Sequence, residues 1–591
     1  MRGILVAAAV VGTLAWAGAA GATVVHVNCA HANLQNKINH AAPGSTLKIK
    51  GRCVGSFTVS KNLDLVGDPT ATLDANGTDR TLTISGATAD LAHLVVTGGH
   101  ISGGLVVTGA GIAAISSQVK MNHVTVTGNK AESTVDAGTI VNVAGGGIYS
   151  DAGTFRIENS VISENVARAE GGTANAYGGG IFRNFPLTIV HSTIRNNKTI
   201  SVSLGTSAQS LAGGLYMEQN GLHIKSSTFD GNLAKANGPA GTVIAEGGGI
   251  YLADTGQVTI ENSTMKDNRA AATSDGTSAD ALGGGIRGKL VHGVFKKTRW
   301  LGNTAHARSS GDGDTHGGAI VLAPSGELKL LGSRFSGNVA DAHGGSGIGS
   351  ADGGAMEVSD GRLILRNTTV NKNAATAPDG ATTTASGGGI FAAGDMLMAS
   401  STVSRNTAST GGGQSLGGGL VVEGSGTNTV TNSTIASNHA KGATARGGGI
   451  DTFAGTFLIL NATISGNSAK IGGGLYKEVG TTTLQGTILA GNQASTGGPN
   501  CGGNIDSAGR NLISQTSGCT FTALPSDTLH KGAKLGTLGN HGGPTETIPL
   551  QPASPAMNAI PVAACDVNKD QRGVKRPQGN RCDIGAFEVK R

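Results

Sequence analysis

The sequence GGGLYKEVGTTTLQGTILAGNQA at residues 472–494 contains the pattern that decides the fold. An apolar residue follows small residues, and an asparagine comes 16 to 18 positions later; this pattern occurs eleven times. The apolar residues are Ile148, Ile181, Leu215, Ile250, Ile286, Ile320, Met356, Ile390, Leu420, Ile450 and Leu475. The asparagines are Asn165, Asn197, Asn232, Asn268, Asn303, Asn338, Asn373, Asn406, Asn438, Asn467 and Asn492.

The two halves of this repeat differ in regularity. The distance from an asparagine to the next apolar residue falls from 18 to 8, so only the half before the asparagine has a constant length. In that half, segments such as FRIENSVISEN (155–165) alternate apolar and polar residues, which is typical of strands. A unit of 25 to 36 residues cannot bury an apolar face alone and must stack on its copies. The sequence therefore predicts an all-β protein, a single parallel β-helix with one unit per turn.

Glycine and asparagine have expected roles in such a turn. We expect the glycines at corners where a Cβ would obstruct the backbone. The turn asparagines are expected in left-handed positions, with their amides bonded to the turns on either side. A second set of asparagines, six residues earlier in five units, suggests a second internal ladder. It consists of Asn159, Asn262, Asn367, Asn432 and Asn461.

Composition excludes several classes of protein. The 98 glycines do not recur at every third position, so collagen is excluded, and 3% aromatic residues argue against an ordinary aromatic-centred globule. A chain with 38% hydrophobic and 14% charged residues is too apolar to be disordered. The net charge of +6 forms no dense patch, and five Tyr and two Trp offer few stacking platforms, so no nucleic acid partner is predicted.

The N-terminal residues 1–22 are expected to be a signal peptide. They combine Arg2, an apolar run and the ending Ala20-Gly21-Ala22. No later segment is long and apolar enough to span a bilayer, so we expect no transmembrane segment in the mature chain. The predicted localisation is extracellular, either secreted or at the cell surface.

Six cysteines fit an oxidising compartment. Proximity pairs Cys29 with Cys53, Cys501 with Cys519 and Cys565 with Cys582, although the sequence alone permits other connectivities.

The expected domain organisation follows from these features. Residues 23–144 form an N-terminal cap and the first turns, 145–494 the repeat β-helix, and 495–591 the last turns and a disulfide-closed C-terminal cap. Leu34, Ile38 and Ala41 have helical spacing and predict an N-terminal capping helix.

The chain resembles the right-handed parallel β-helix proteins of the pectin-lyase-like class over about residues 24–520. GGGI followed by FDGN (229–232) or FSGN (335–338) resembles the repeats of polymorphic outer-membrane proteins. ASPAMNAI (553–560) and CDVNKDQRGVKRPQGNRCDIGAFE (565–588) resemble the C-terminal signature of bacterial choice-of-anchor Q proteins. The resemblance implies a secreted or surface protein. It does not decide function, because this architecture hosts lyases, hydrolases, adhesins and inert scaffolds.

Two functions remain open. The local sequence signatures of galacturonases are missing: HGG occurs in THGGAI and AHGGSG, but without the Asn-Thr-Asp and Arg-Ile-Lys stretches that accompany it in those enzymes. The sequence also has no Ser-His-Asp elbow, no phosphate-binding loop and no zinc-ligand spacing. We therefore expect a monomeric, non-catalytic, adhesin-like scaffold that binds an extracellular polysaccharide or a cell-surface component. The alternative is a polysaccharide lyase or glycoside hydrolase acting on an acidic polysaccharide, for which no catalytic residue can be assigned.

The variable halves of four consecutive units are rich in acids and histidines. We expect them to be loops that stack along one edge, and we call this set the loop shelf. Its candidate metal ligands are Asp312, Asp314, Asp341 and Asp352, and its other members are Asp275, Asp280, His306, Arg308, His316, His343 and Asp379. No cofactor is required by the sequence, but oxygen ligands at this density suit Ca²⁺. The competing interpretation is that these residues only keep the loops soluble.

Overall fold

The computed structural model describes residues 21–219, 221–239, 241–254, 256–289, 292–323, 326–380 and 382–590. These residues form a parallel β-solenoid of about 11 turns, which is the architecture that the repeat predicts. Residues 1–20 of the expected signal peptide lie outside the described residues, so that peptide remains a prediction.

The constant half of each repeat unit contributes three short strands to the shaft of the solenoid. Each strand pairs in parallel with its counterpart in the next turn, as Ile250 does with Ile286, which produces three columns. The first column contains Ile148–Ser150, Ile181–Arg183, Leu215–Gln219, Ile250–Asp254, Ile286–Gly288, Ile320–Leu322, Met356–Val358, Ile390–Ala392, Leu420–Val422, Ile450–Thr452 and Leu475–Lys477. The second contains Phe155–Glu158, Leu187–Val190, Leu222–Lys225, Gln257–Glu261, His292–Lys296, Glu327–Leu331, Arg362–Arg366, Asp395–Ala399, Thr427–Thr431, Thr456–Leu460 and Thr481–Gln485. The third contains Val161–Ser163, Thr193–Arg195, Thr228–Asp230, Thr264–Lys266, Arg299–Leu301, Arg334–Ser336, Thr369–Asn371, Thr402–Ser404, Thr434–Ala436, Thr463–Ser465 and Ile488–Ala490.

Alternation along these strands builds the core of the shaft. In Gln257–Glu261, the side chains of Val258 and Ile260 are buried while Thr259 is half-buried, because alternate residues face opposite sides of a strand. Large side chains from successive turns stack in the interior, and the rings of Trp300 and Phe335 lie 5.6 Å apart and parallel within 2°. One continuous hydrophobic core extends along the solenoid.

The turn asparagines form the predicted ladder. Asn303 donates from Nδ2 to the Met265 carbonyl at 3.0 Å and to Asn338 Oδ1 at 2.9 Å, and its own Oδ1 accepts from Asn268 Nδ2 at 3.0 Å. The expectation of a left-handed asparagine is wrong, because the positive φ belongs to the preceding residue, such as Asp267 with φ 52°. The asparagine that follows this left-handed residue points inward, where its amide bonds to the asparagines of the adjacent turns.

The second asparagine set does not form the internal ladder. Asn159 and Asn262 occupy left-handed positions, with φ of 48° and 49°. The buried ladder is formed one residue later by serine, since the backbone N–H of Ser160 donates to Ser192 Oγ at 3.1 Å and that of Ser192 to Ser227 Oγ at 3.1 Å. Asparagine here supplies the turn conformation, and the serine supplies the bonds between turns.

The variable halves are strands, not loops. They leave the shaft after the turn asparagine, reverse, and return to the glycine corner, so each unit adds an outgoing and a return strand to a second parallel sheet, the outer sheet. The outgoing strands are Leu233–Gly238, Arg269–Ser274, Thr304–Ser309, Val339–Gly344, Ala374–Ala377, Thr407–Thr410 and His439–Lys441. The return strands are Thr242–Glu246, Ser278–Leu282, Asp312–His316, Gly349–Asp352, Thr384–Ser386, Gln414–Leu416 and Thr444–Arg446. In two units the outgoing and return segments form one long strand each, Val166–Tyr177 and Lys198–Leu211. The sheet ends on its C-terminal side with Ser468–Ile471 and Gln493–Gly497.

Alanine fills the core of the outer sheet. Ala236, Ala245, Ala272 and Ala281 are completely buried between outgoing and return strands. Small side chains allow the two strands of one unit to pack closely against each other.

The N-terminal end carries the predicted capping helix, Leu34–His40, in which Leu34 and Ile38 are buried. The side chain of Gln35 bonds to both backbone groups of Thr58. The strand of Thr58 is the first of three N-terminal strands that continue the first column beyond Ile148–Ser150, so the helix covers an exposed strand edge. The strands of this region are Val24–Asn28, Ser45–Val54, Phe57–Val59, Leu63–Asp74, Leu82–Ser85, Thr88–Thr97, His100–Ser102, Val106–Thr108, Ile112–Ile115, Gln118–Asn122, Thr125–Thr127, Lys130–Thr134 and Ile140–Ala144.

The C-terminal segment lies along the side of the last turns. Gln571 donates to the Ser401 carbonyl, the Asn432 amide donates to the Lys569 carbonyl, and the Ala586 N–H donates to Thr463 Oγ. Its short elements are Cys501–Ser507, Leu512–Ile513, Cys519–Thr522, Thr528–Leu529, Ile560–Pro561, the 3₁₀ turn Val562–Ala564, and Arg581–Cys582. All three predicted disulfides are confirmed. Within the described part of the chain, no helix has the length and apolarity needed to cross a membrane.

Candidate functional site

The loop-shelf residues lie on strands of the outer sheet or in the turns that join them. His306 and Arg308 belong to the outgoing strand Thr304–Ser309, and Asp341 and His343 to the outgoing strand Val339–Gly344. Asp280, Asp312, Asp314, His316 and Asp352 belong to three successive return strands, while Asp275 and Asp379 follow outgoing strands. The outgoing and return strands face different surroundings, so the shelf divides into two groups.

The return-strand group lies in a crease where the outer sheet meets the shaft. The crease is formed by the last residue of each return strand and the second residue of each first-column strand. Between two adjacent turns, Arg287 Nε lies 3.2 Å from Glu246 Oε1, and both side chains are less than 10% exposed. Further along, Arg446 pairs with the buried Asp451 at 3.0 Å and with Glu478. Charged side chains are thus buried as pairs along this line.

The most concentrated chemistry in the crease surrounds His316. Its Nδ1 lies 2.6 Å from Glu357 Oε2 and 3.9 Å from Asp352 Oδ2. Burial opposes the charged imidazole, but the carboxylates of Glu357 and Asp352 outweigh burial and raise the pKa of His316 to about 9. At neutral pH, His316 is therefore an imidazolium ion held between two carboxyl groups.

The two carboxyl groups beside His316 have different environments. Burial and the charge of Glu357 raise the pKa of Asp352. Burial also acts on Glu357, but the charge and hydrogen bond of His316 lower its pKa overall. The cluster thus contains one carboxyl group that retains its proton more readily beside one that remains ionised.

Asp280 and Asp314 extend this cluster along the return strands. They are register partners on adjacent turns, so their carboxylates lie side by side. Burial, with a contribution from Asp314, raises the pKa of Asp280 to about 6, and burial raises the pKa of Asp314 as well. The crease consequently brings several carboxyl groups close together, and their protons are held more tightly than in water.

An aromatic stack continues the crease toward the N-terminus. The rings of Tyr149, Phe182, Tyr216 and Tyr251 follow one another at centroid distances of 5.2, 4.9 and 5.2 Å and are nearly parallel. Tyr177 meets Tyr216 edge-on at 5.3 Å. Tyr216 and Tyr251 are buried, whereas Tyr149, Tyr177 and Phe182 are half-buried.

The outgoing-strand group is separate. Among the described residues, His306, Asp341 and His343 form the one group of three His, Cys, Asp or Glu side chains whose ligand atoms all lie within 4.8 Å of one another. Asp341 is therefore not brought together with Asp312, Asp314 and Asp352 as one set of ligands. Asp312 instead accepts a hydrogen bond from the Ile348 N–H at 2.7 Å, and Arg308 and Asp275 are exposed.

Several crease residues were not identified from sequence. Glu246, Arg287, Glu357, Arg446 and Asp451 belong to no motif, and residues distant in sequence are brought together by stacking. A signal was available, because Arg287, Glu357 and Asp451 all follow the apolar residue of the repeat, where other units have an aromatic or aliphatic residue.

A polar cleft of about 800 Å³ lies on another flank, where the first column turns into the second. Glu327, Asp360, Arg362 and Asp395 contribute to its lining. His292 also lines the cleft beside Glu327, but Arg362 reaches Glu327 only at 3.8 Å and its side chain is half exposed, so the cleft offers less buried charge than the crease.

The chain matches no protein-family model and no curated protein. The candidate site therefore depends on the geometry of this molecule.

Proposed function

We propose that this protein is a secreted or cell-surface β-helix scaffold that binds an extracellular polysaccharide, as a monomer, along the crease. One observation carries the proposal: along the crease, the half-buried aromatic side chains of Tyr149, Tyr177 and Phe182 are followed by the carboxyl cluster around His316. Aromatic side chains pack against sugar rings, and carboxylates accept hydrogen bonds from hydroxyl groups. A line of both types suits an extended chain of sugars.

The charge of the crease narrows the kind of polysaccharide. Among the described residues, Glu246, Asp280, Asp314 and Glu357 outnumber the cations near them, which are Arg287, His316 and Lys289. A uronate polymer would be repelled by this excess of carboxylates, whereas a neutral or amine-bearing polymer would not. We therefore favour a neutral or amine-bearing polysaccharide over the acidic one expected from sequence.

Export is supported independently of the crease. Three disulfides fit a protein that folds in an oxidising compartment, and the N-terminal sequence has the composition of a signal peptide. The resemblance of residues 565–588 to choice-of-anchor Q proteins points in the same direction.

A second function, glycoside hydrolysis, is favoured by one observation. Glycosidases use a carboxyl group that keeps its proton beside one that is ionised, and the pKa values of Asp352 and Glu357 are displaced in those opposite directions. In this alternative, Asp352 protonates the leaving oxygen, and Glu357 or Asp314 is the ionised partner.

Retention and cleavage should be measured separately on one panel of polymers. The purified protein is passed over immobilised neutral, amine-bearing and acidic polysaccharides, and the same polymers in solution are assayed for new reducing ends and new unsaturated ends. We expect retention on a neutral or amine-bearing polymer without new ends. New reducing ends would favour hydrolysis, unsaturated ends would favour a lyase, and retention by none of the polymers would contradict the proposal.

Matched variants connect binding to the crease. Asp314→Asn and Tyr177→Ala should each weaken retention about tenfold, because each removes a surface contact without breaking a buried ion pair. Glu327→Gln, which lies in the cleft on the other flank, should leave retention unchanged. Equal retention by all three variants would place binding outside the crease.

A further inference from the structure

We propose that His306, Asp341 and His343 form a binding site for a divalent transition metal of the Zn²⁺ class, which bridges two adjacent turns of the outer sheet. The site is distinct from the crease, and the inference does not depend on the proposed function. It replaces the Ca²⁺ site expected from the four aspartates with a different set of ligands.

The strand geometry places the three ligands together. Asp341 and His343 are two residues apart on Val339–Gly344, so their side chains are on the same face, opposite the buried Ala340 and Ala342. His306 is the register partner of Asp341 on the preceding turn. Three ligands thus come from a rigid two-stranded frame, whose position is fixed by the alanine core behind it.

The ligand atoms converge at distances that fit a bound metal. His306 Nδ1 lies 2.9 Å from Asp341 Oδ2, and His343 Nε2 lies 3.3 Å from the same oxygen. Ligands held ~2.0–2.2 Å from Zn²⁺ in a tetrahedral arrangement are separated by about 3.3 Å. All three ligand atoms lie within 4.8 Å of one another, so the two histidines and the shared carboxylate oxygen approach one ion without a change of strand position.

Neighbouring groups orient the ligands as in known metal sites. Asp379 Oδ2 lies 2.6 Å from His343 Nδ1, and Thr376 Oγ donates to Asp341 Oδ1 at 2.5 Å. The contact with Asp379 fixes the His343 ring so that Nε2 faces the Asp341 oxygen. A carboxylate behind a histidine ligand is also the usual support for a metal site.

The ligand types select the metal. Two imidazole nitrogens and one carboxylate oxygen suit Zn²⁺ and related transition metals, whereas Ca²⁺ and Mg²⁺ prefer oxygen ligands throughout. The three side chains retain 23%, 27% and 30% exposure, so the fourth coordination position faces solvent. A site with three protein ligands and one open position can hold water or an oxygen of a bound molecule.

Metal titration of the full-length, tag-free protein after chelator treatment tests the site. Co²⁺ should bind with one equivalent and give the visible absorption of a tetrahedral site, and Zn²⁺ should displace it; Ca²⁺ should not. Asp341→Asn and His343→Gln should each weaken Zn²⁺ binding at least a hundredfold. Asp379→Asn should weaken it about tenfold, because it acts through His343. Asp312→Asn, in the same part of the outer sheet but outside the group, is the control and should bind like the parent.

The melting temperature distinguishes loss of ligands from loss of folding. Zn²⁺ should raise the melting temperature of the parent and of Asp312→Asn but not that of Asp341→Asn. If the parent binds no Co²⁺, or if Asp341→Asn binds it equally well, the proposal is wrong. NMR of the His343 imidazole gives a further test. If the ring is protonated at neutral pH and one equivalent of Zn²⁺ does not change it, the proposal is wrong, because Nε2 then donates a hydrogen bond to Asp341 instead of binding a metal.

Discussion

The shaft and the outer sheet use the same parallel pairing but differ in their side chains. The shaft is filled by large residues such as Ile260, Phe295 and Leu330, whereas the outer sheet is filled by alanines such as Ala245 and Ala272. Large interlocking side chains fix the length and register of each turn. A thin alanine core imposes fewer constraints, and the outer sheet accordingly varies in length from unit to unit.

This difference separates stability from chemistry. The shaft contains stacked asparagines, serines and aliphatic residues that repeat from turn to turn. The histidines and carboxylates of the crease, and those of the proposed metal site at His306, Asp341 and His343, occur in only a few turns. Substitution in the shaft should therefore affect folding, and substitution in the outer sheet should affect chemistry with a smaller effect on folding.

The largest effect is expected in the asparagine ladder. Asn303→Ala removes the bonds to Met265 and Asn338 and leaves the amide groups of Asn268 without their acceptor, all in a fully buried position. Because an unsatisfied buried polar group costs ~1–3 kcal/mol, we expect a total loss of about 4 kcal/mol. Urea denaturation should show this loss.

Asn175→Ala is the matched substitution in the outer sheet. Asn175 is half-buried and donates to Asn142 at 3.1 Å, and water can replace that bond. The expected cost is about 0.5 kcal/mol. If both variants lose the same stability, the distinction between shaft and outer sheet is not energetic.

An intermediate effect is expected at the glycine corner. A Cβ at Gly249 would lie 2.7 Å from the Gly285 carbonyl oxygen of the next turn, so Gly249→Ala should cost about 2 kcal/mol through displacement of the backbone. A Cβ at Gly256 meets no atom within 4 Å. Gly256→Ala should therefore leave the melting temperature unchanged or slightly higher. If Gly249→Ala is no less stable than Gly256→Ala, the glycine corner accommodates a Cβ without a loss of stability.

Much of the shaft was predictable because its constraints are local and repeat. Each repeated glycine and asparagine contacts the residue at the same position of the next turn, as Asn303 contacts Asn338. The same residue type is therefore required in every turn, and the requirement is visible in the sequence. The outer sheet was mistaken for loops because its strands are rich in Ala, Gly, Ser and Asp, which have low strand propensity alone. Stacking in register supplies the stability that propensity lacks.

The candidate sites were predictable only in part, for a related reason. Asp341 and His343 are two residues apart, so their common face follows from the sequence once a strand is assumed. The pairing of His316 with Glu357 spans 41 residues and depends on the length of one complete turn. Without the register of the outer sheet, the sequence offers no means to select Glu357 from the other acidic residues.

The smallest effect separates charge from packing in the crease. Burial, with a contribution from Asp314, holds the pKa of Asp280 at about 6, above its ordinary value, so the folded state binds this proton more tightly than the unfolded chain does. Stability associated with Asp280 is therefore present at low pH and is lost as the pH rises from about 4 to about 6. A shift of about two units corresponds to about 3 kcal/mol for a fully buried group, but Asp280 is partly exposed, so we expect about 1 kcal/mol.

Asp280→Asn removes the charge and should raise the melting temperature at pH 7 but leave it unchanged at pH 4. Asp254→Asn, an exposed position next to the same part of the shaft, should change the melting temperature at neither pH. An equal gain for Asp280→Asn at both pH values would mean that the amide packs better than the carboxyl group, and the crease would then owe its instability to shape instead of charge.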